Sequence, residues 1–429
     1  MSNYRVLLLG GGGREHAMAW KIAQSPFLQE LYIAPGNPGT TSLGINVELD
    51  ISDFNQVSAF VEKEQINLII VGPEQPLVDG IADYFQEKSI PVFGPKKLAA
   101  MLEGSKEFAK DFMQKYDIPT AKHSTFSSDH FDDALSYIQS EGKYPVVLKA
   151  DGLAGGKGVF ICESEEEVVD RLDLLKNDTN LREAASKLVI EEFMEGEEAS
   201  VFVISDGDSF QVIHNAQDHK RIGEGDTGLN TGGMGAYSPA PIISKSLMKQ
   251  VEDDIIAPTI DGMKNEGSPY QGILYVGLMI NESGPKVVEY NCRFGDPECQ
   301  VVLPSLKNDL LKLIVSATEG KLDQEKIEID DQYRCCVVMA SEGYPVSYEK
   351  GKEINGINTI DSEAIVFHAG TAIKGEKLVT NGGRVLSVVG NGHTLKDAID
   401  HAYKNVEKIT FSNSYIRKDI GHKGLKKLN

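Results

Sequence analysis

YRVLLLGGGGREHAMAWKIAQ, residues 4–24, decides how the fold is read. Residues 4–9 are an apolar run short enough for one strand, residues 10–13 are four glycines, and residues 14–24 carry helical periodicity until Ser25-Pro26 stops it. Working outward, LYIA (31–34), NLIIVG (67–72) and IPVFG (90–94) read as further strands with helical stretches between them. Alternating strands and helices predict a doubly wound parallel sheet over residues 1–102. A glycine turn leading into a helix presents backbone N–H groups to an anion. A dinucleotide fits poorly: GxGxxG counted from Gly10 puts Glu15 at the third glycine, and the second strand ends Ile33-Ala34-Pro35 with no carboxylate for a ribose. A monophosphate such as a ribose 5-phosphate is the expectation for Gly11, Gly12, Gly13, Arg14 and Glu15. Gly36 and Asn37 in APGNPG and Pro73 and Glu74 in GPEQPLVDG would sit at neighbouring strand ends, which line the crevice of an open α/β sheet.

Beyond residue 102 the pattern changes. Residues 105–140 look helical apart from a strand near 121–126. YPVVLKA (144–150), GVFIC (158–162), KLVIEEFM (187–194) and EASVFVIS (198–205) then read as strands joined by short turns. A long helix is expected within 244–266, followed by strands GILYVGLMI (272–280) and GPKVVEYNCRFG (284–295). These are antiparallel α+β layers, assigned to a central domain, 103–330, with a flap subdomain about 121–193. From 331 the chain starts again as a smaller α/β cap, 331–429. The net charge of −21 argues against a nucleic-acid face, so any phosphate site must gather its cations locally. Five cysteines without a CxxC pair read as buried free thiols. No apolar run is long enough for a membrane span, and the N-terminus lacks a basic start and cleavage site, so a cytoplasmic protein is expected.

Four segments carry chemistry. In KVVEYNCRFGDPE (286–298), strand alternation would put Val287, Glu289, Asn291 and Arg293 on one face and Val288, Tyr290, Cys292 and Phe294 on the apolar one. Glu289 and Asn291 offer hard oxygen ligands for Mg²⁺, and Arg293 can hold a carboxylate or a phosphoryl group. Lys149 ends an apolar strand before DGLAGGKG (151–158). A Walker loop would need glycine at 151 and Ser or Thr at 158, where Asp151 and Gly158 stand, so this is a flap between strands whose backbone can approach phosphates. VIEEFMEGEE (189–198) is a strand exit that could offer backbone to an adenine and a carboxylate to a ribose. QDHKRIGEGDTGLNTGGMGAYSP (217–239) sets Asp218, His219, Lys220 and Arg221 before a glycine-rich loop, an anion site under a lid.

Together these motifs resemble the ATP-grasp superfamily. KADGLAGGKGV, IEEFMEGEEAS, QDHKR, NTGGMGAYSPAP and VVEYNCRFGDPE resemble those of the glycinamide ribonucleotide synthetase (phosphoribosylamine–glycine ligase) family. GGGGREHAMAW, APGNPGT, VGPEQPLVDG, LEGSKEFAKDFM, FHAGT and TNGGRVL match the same family in order, so the likeness spans nearly the whole chain. The resemblance implies that ATP phosphorylates glycine and that the amine of 5-phospho-β-D-ribosylamine attacks the glycyl phosphate. The products would be glycinamide ribonucleotide, ADP and phosphate, the second step of de novo purine synthesis. It places Lys106, Lys149, Gly152, Gly155, Gly156, Lys157 and Gly158 on ATP phosphates, Glu191, Phe193 and Met194 at adenine and Glu198 at the ribose. Glu289 and Asn291 would bind Mg²⁺ or Mn²⁺. Arg293, Lys149 and Asp218 would be catalytic. Asp218, Lys220, Arg221, Thr231, Gly232, Gly233, Met234, Gly235, Arg293 and Asp296 would line the glycine and ribosylamine sites. Many relatives carry another acidic ligand about twelve residues before the metal-binding Glu; here Gly277 is near that position. A monomer is expected, with room for a transient contact with the upstream amidotransferase. The rival readings are another carboxylate–amine ligase or a biotin-carboxylase-like enzyme, a nicotinamide oxidoreductase, and a nucleotide sensor without turnover.

Overall fold

The computed structural model describes residues 3–153, 158–178 and 186–428. The first strands are β1 (Tyr4–Gly10), β2 (Leu28–Pro35), β3 (Ile45–Asn46), β4 (Leu68–Val71) and β5 (Val92–Phe93), all parallel, in the order β3-β2-β1-β4-β5. Leu7, Leu8 and Leu9 of β1 are wholly buried because helices cover both faces of a parallel sheet. The N-terminal half of the reading therefore stands, with the helix Gly13–Ile22 following the glycine run.

A second, four-stranded sheet holds β6 (His123–Ser127), β7 (Val146–Ala150), β8 (Val159–Cys162) and β9 (Lys187–Glu192) in the order β6-β9-β7-β8. It has its own core, in which Leu148, Leu188 and Ile190 pack against Phe131, Ile138, Val168 and Leu172 of two amphipathic helices. The glycine-rich segment joins β7 to β8, as its reading requires, although residues 154–157 of it lie outside the described part.

The third sheet has nine strands. The long ones are β10 (Glu197–Asp206), β11 (Phe210–Asp218), β15 (Gln271–Asn281) and β16 (Gly284–Asn291). Between them in the chain come β12 (Arg221–Gly223), β13 (Thr227–Asn230) and β14 (Gly235–Ser238); β12 and β13 form a separate two-stranded hairpin. After residue 331 come β17 (Tyr333–Ser341), β18 (Ile365–His368), a hairpin of β19 (Thr371–Lys374) and β20 (Lys377–Thr380), then β21 (Arg384–Gly392) and β22 (Ser414–Tyr415). The order β16-β15-β10-β11-β14-β17-β21-β18, with β22 on β17, corrects one impression from the sequence. The cap brings its own core but no separate main sheet: β14 pairs with β11 on one side and β17 on the other. Gly235 permits this seam, because a Cβ there would lie 2.6 Å from the Cys336 carbonyl oxygen.

The expected helix within 244–266 is interrupted. Lys245–Val251 and Ala257–Asn265 are α-helical, and Glu252–Ile256 between them is a π-turn. Pro258 has no N–H to give the preceding turn and its ring crowds the carbonyl four residues back, which widens the helix there.

Candidate active site

Where the three sheets meet lies a cleft of about 1250 Å³, room for a nucleotide and small substrates together. Its floor is the β15–β16 hairpin. The pairing register slips between Gly277 and Leu278, so Leu278 faces Val287 while Gly277 faces Glu289. That one-residue bulge corrects the simple alternation. Val287 turns into the core with Tyr290 and Cys292, and Val288 joins Glu289 and Asn291 on the cleft side. The strand ends at Asn291, so Arg293 reaches the cleft from the following turn rather than from a strand. Phe294 packs in a different core from Tyr290. Gly277, the position that lacks the extra acidic ligand, leaves room instead: a Cβ on it would lie 3.3 Å from Glu289 Cγ.

Cations converge opposite this floor. Lys149 on β7 is 6% exposed and pairs with Glu191 at 2.8 Å, while its ammonium also donates to the Val288 carbonyl at 3.3 Å. Lys106 begins the helix Lys106–Lys115, whose cap Ser105 donates to Asp151 at 3.0 Å. Asp151 in turn accepts from the Glu107 N–H at 2.7 Å, and Lys106 Nζ donates to the Asp151 and Gly152 carbonyls at 3.2 Å. Burial lowers the Lys106 pKa, with Lys149 adding to the effect and Glu289 opposing it. Glu289 is pressed toward neutrality by its surroundings, yet Lys220, Lys149, Lys106 and Arg293 outweigh this and hold its pKa below the usual range. Asn291 makes no side-chain hydrogen bond among the described residues, and the only ion pair of Glu289 is a long one, 3.7 Å to Lys220. Two oxygen donors thus stand open on one wall, a set that suits a hard cation sharing its remaining positions with phosphate and water. Among the described residues no cluster of three or more His, Cys, Asp or Glu side chains could hold a metal by protein ligands alone.

Arg293 is clamped by Glu103 at 2.8 Å and Glu74 at 3.3 Å. Burial disfavours its charge, but these two carboxylates raise its pKa above the ordinary arginine value. At the exit of β9, Phe193, Met194 and Glu198 line the cleft. Glu191 does not present a free carboxylate there: Lys149 and Lys110 bracket it, the latter at 3.0 Å, and they lower its pKa against the cost of its burial. Lys220 ties Glu198 to Glu289, at 2.7 and 3.7 Å. Burial would lower its pKa, but those two carboxylates raise it well above the ordinary lysine value.

The cleft is also lined by Asp218, Arg221, Thr231, Gly232, Asp296, Glu298 and Arg384. Burial pushes the Asp218 carboxyl far above its usual range, with the charge of Glu298 adding to the effect and Lys220 opposing it. Glu298 is raised too, again chiefly by burial. Arg221 braces its own hairpin by donating to the Gly228 carbonyl at 2.7 Å. Arg384 donates to the Gly232 and Asp296 carbonyls at 2.8 and 2.6 Å.

Arg14 and Glu74 line the cleft, but Gly11, Gly12, Gly13, Glu15, Gly36, Asn37 and Pro73 do not. The helix start is filled by the chain's own acids: the Gly12 N–H donates to Glu15 at 2.7 Å and the Arg14 N–H to Asp296 at 3.4 Å. Asn37 donates to the Gly11 and His368 carbonyls, which joins the first domain to the cap. Two of the N–H groups expected to meet a monophosphate are thus taken by side chains of the protein. Gly152, Gly233 and Gly235 also stand back from the cleft, and Met234 is wholly buried in the cap's core. Gly158 lines the cleft; Gly155, Gly156 and Lys157 lie outside the described residues. The reading of residues missed Lys110, Glu103 and Glu298. Lys110 had a signal, since it follows Lys106 by one helical turn and shares its face. Glu103 and Glu298 had none, because their partners are distant in sequence.

A lysine from one sheet and a lysine from a helix start, facing an acid and an amide on β16 and a guanidinium in the turn after it, define an ATP-grasp fold, and the family models bear this out. Residues 104–299 match the ATP-grasp (A) domain of phosphoribosylglycinamide synthetase, residues 4–103 its N domain and residues 334–423 its C domain. The chain belongs to the phosphoribosylglycinamide synthetase family. A phosphoribosylamine–glycine ligase of Mesorhizobium japonicum is 49% identical over 97% of this chain and 97% of its own. A bifunctional purine biosynthetic protein of Pichia angusta is 47% identical over 99% of this chain, which spans 54% of that longer protein. The crystal structure of a phosphoribosylamine–glycine ligase from Thermotoga maritima superposes with a TM-score of 0.84 at 36% identity, covering 97% of this chain and 100% of that one.

Proposed function

We propose that the protein ligates glycine to 5-phospho-β-D-ribosylamine at the expense of ATP, through glycyl phosphate, in de novo purine synthesis. The observation that carries the reading is the convergence of Lys106 and Lys149 with Glu289, Asn291 and Arg293 on one cleft. The family membership favours it over a biotin-carboxylase-like activity.

A carboxylate does not react with an amine directly, because oxide is too poor a leaving group, and phosphorylation supplies a better one. The protein's part is then positioning and charge neutralisation. Lys106 and Lys149 hold the ATP phosphates. The adenine lies at the β9 exit against Phe193 and the backbone near Met194, and Glu198 takes the ribose. Because Glu191 is bracketed by two lysines, its role is to fix them, and the adenine contact passes to the neighbouring backbone. Glu289 and Asn291 are the ligands for Mg²⁺, or Mn²⁺ in its place. Bound there, the ion would neutralise phosphate charge during transfer. Arg293, held rigid by Glu103 and Glu74, steadies the acyl phosphate. Lys220, Arg221 and the 231–232 turn flank the acceptor, and Arg14 and Arg384 are the cations nearest to hand for its 5-phosphate. Water must be kept out while the acyl phosphate exists.

We infer further that the enzyme works in the cytoplasm as a monomer and that it meets the upstream amidotransferase transiently. Among the described residues no helix is long and apolar enough to cross a membrane. ADP release tests the function: it should require glycine together with phosphoribosylamine generated in place and a divalent cation. ADP release that ignores both substrates, or responds better to bicarbonate, would overturn it.

A further inference from the structure

Among the described residues the β12–β13 hairpin pairs with no other strand, and a two-stranded hairpin is marginal by itself. Ile222 packs on the cap's core, while Leu229 is left 55% exposed. Yet the hairpin carries Arg221, Asp226 and Asn230 on the wall of the cleft. It is held by a strap from the far end of the sequence, residues 415–423. The Tyr415 hydroxyl donates to the Ile222 carbonyl at 2.8 Å. The wholly buried side chain of Arg417 donates to the Arg221 carbonyl at 2.9 Å and to Asp226 at 3.0 Å. The Lys418 N–H donates to Glu224 at 3.2 Å, and Asp419 accepts from the Gly225 N–H at 2.9 Å. Lys423 makes a further ion pair with Asp226.

The strap is itself tied down on its other side. Tyr403, on the helix Leu395–Val406, donates through its hydroxyl to the Arg417 carbonyl at 2.6 Å and accepts from the Ile420 N–H at 3.1 Å. The Gly421 N–H donates to His219 Nε2 at 3.4 Å. Ile420 is buried against the start of β14, where a Cβ on Gly235 would lie 2.8 Å from its Cδ1. The strap thus touches both ends of the segment that runs from His219 through the hairpin to Gly235. Arg417 is the centre of it. Its fork reaches the hairpin with one nitrogen and grips Asp419 with the other two, at 2.8 and 2.7 Å. A buried guanidinium is costly unless all its partners stay in place, so hairpin and strap are joined as a unit.

We propose that Arg417 is a positioning residue, which fastens the hairpin to the strap and so sets Arg221 and the 231–232 turn where the acceptor needs them. This rests on the ligase reading above, in which that hairpin and turn flank the acceptor. A hairpin that swings free presents Arg221 for only part of the time, and the apparent affinity for the acceptor falls by the fraction in place. ATP, held at Lys106 and Lys149, does not feel the change.

The test uses the full chain with Arg417→Lys, which keeps the charge but loses the fork, and Tyr415→Phe, which removes one hydrogen bond and leaves the charges alone. Hydrogen exchange read by mass spectrometry reports on residues 220–230. Steady-state assays give the KM for ATP and the apparent KM for phosphoribosylamine generated in place from ribose 5-phosphate and ammonia. Exchange over 220–230 should quicken about fivefold or more in both variants, while β10 and β11 exchange as in the wild type, which also shows that the chain is folded. The acceptor KM should rise about tenfold in Arg417→Lys and about threefold in Tyr415→Phe, with the KM for ATP within about twofold of the wild type. Unchanged exchange over 220–230 would show that the strap does not fasten the hairpin. Faster exchange with an unchanged acceptor KM would overturn the positioning role, and so would an equal rise in both KM values. If the wild type shows no acceptor-dependent ADP release, the ligase reading falls, while the exchange rates still decide whether the strap holds the hairpin.

Discussion

At the scale of single residues, the cleft is a balance of charges that the chain mostly settles internally. Arg293 is the example. Arg293→Ala removes the group that steadies the acyl phosphate and also strands Glu103 in the interior. Activity should fall by about a hundredfold or more, and stability by roughly 3–5 kcal/mol, the cost of breaking a buried pair. Glu289→Gln separates the two effects: its partner Lys220 keeps Glu198, so turnover should fall comparably while the urea midpoint hardly moves. Equal, near-normal rates in both variants would remove the proposed site. The histidines give a pH dependence. Burial takes His16 and His219 down to about 3 and His214 and His368 down to about 4. Unfolded, they titrate near 6.5. As pH falls through 6.5 the unfolded chain takes up protons that the folded one refuses, so stability drops from there toward pH 3–4 and then levels. The limit is about 1.4 kcal/mol per pH unit for each histidine. The urea midpoint should be lower at pH 5 than at pH 7, and the difference should shrink in His16→Gln.

At the scale of elements, one helix cap places a functional group. Ser105 caps the helix that starts with Lys106 and donates to Asp151, just after β7. Ser105→Ala should cost about 1 kcal/mol in urea unfolding and raise the KM for ATP, while the KM for glycine stays put. The elements were also what the sequence displayed best. β1, β7, β9, β10 and β15 appear close to where their apolar runs put them, because a run with turn signals at both ends is a local message. Two features of elements were invisible. The bulge opposite Gly277 reverses the faces of Val287 and Val288, and nothing in either strand alone announces it, since a bulge belongs to a pair of strands. The helix start at Gly13 has the composition of a phosphate site, but Glu15 and Asp296 take two of its N–H groups. Glu15 was in view as a helical residue; Asp296 arrives from nearly three hundred residues away, beyond the reach of any spacing argument.

At the scale of the whole molecule, the domain-like rhythm of the sequence conceals a shared sheet. Ending the chain at 330 removes β17 and leaves β14 as a four-residue edge with its hydrogen bonds open. Residues 1–330 produced alone should therefore aggregate or fail to show a cooperative thermal transition, whereas independent domains would give a soluble, melting fragment. The likeness to a known family was legible over nearly all of the chain, because its motifs fall in loops that carry function. How those loops share one cleft was not, because that depends on which sheets adjoin.

That shared sheet has a consequence for movement. Strands laced side by side from β16 to β18 cannot hinge at the boundary between the central domain and the cap, so the part of the molecule that receives the acceptor must behave as a rigid bed. Among the described residues, the layer β6 to β9 has its own core and no strand laced into either neighbour. Breathing therefore falls to that small layer, and the cleft opens on the side of β6 to β9 while the laced strands stay set.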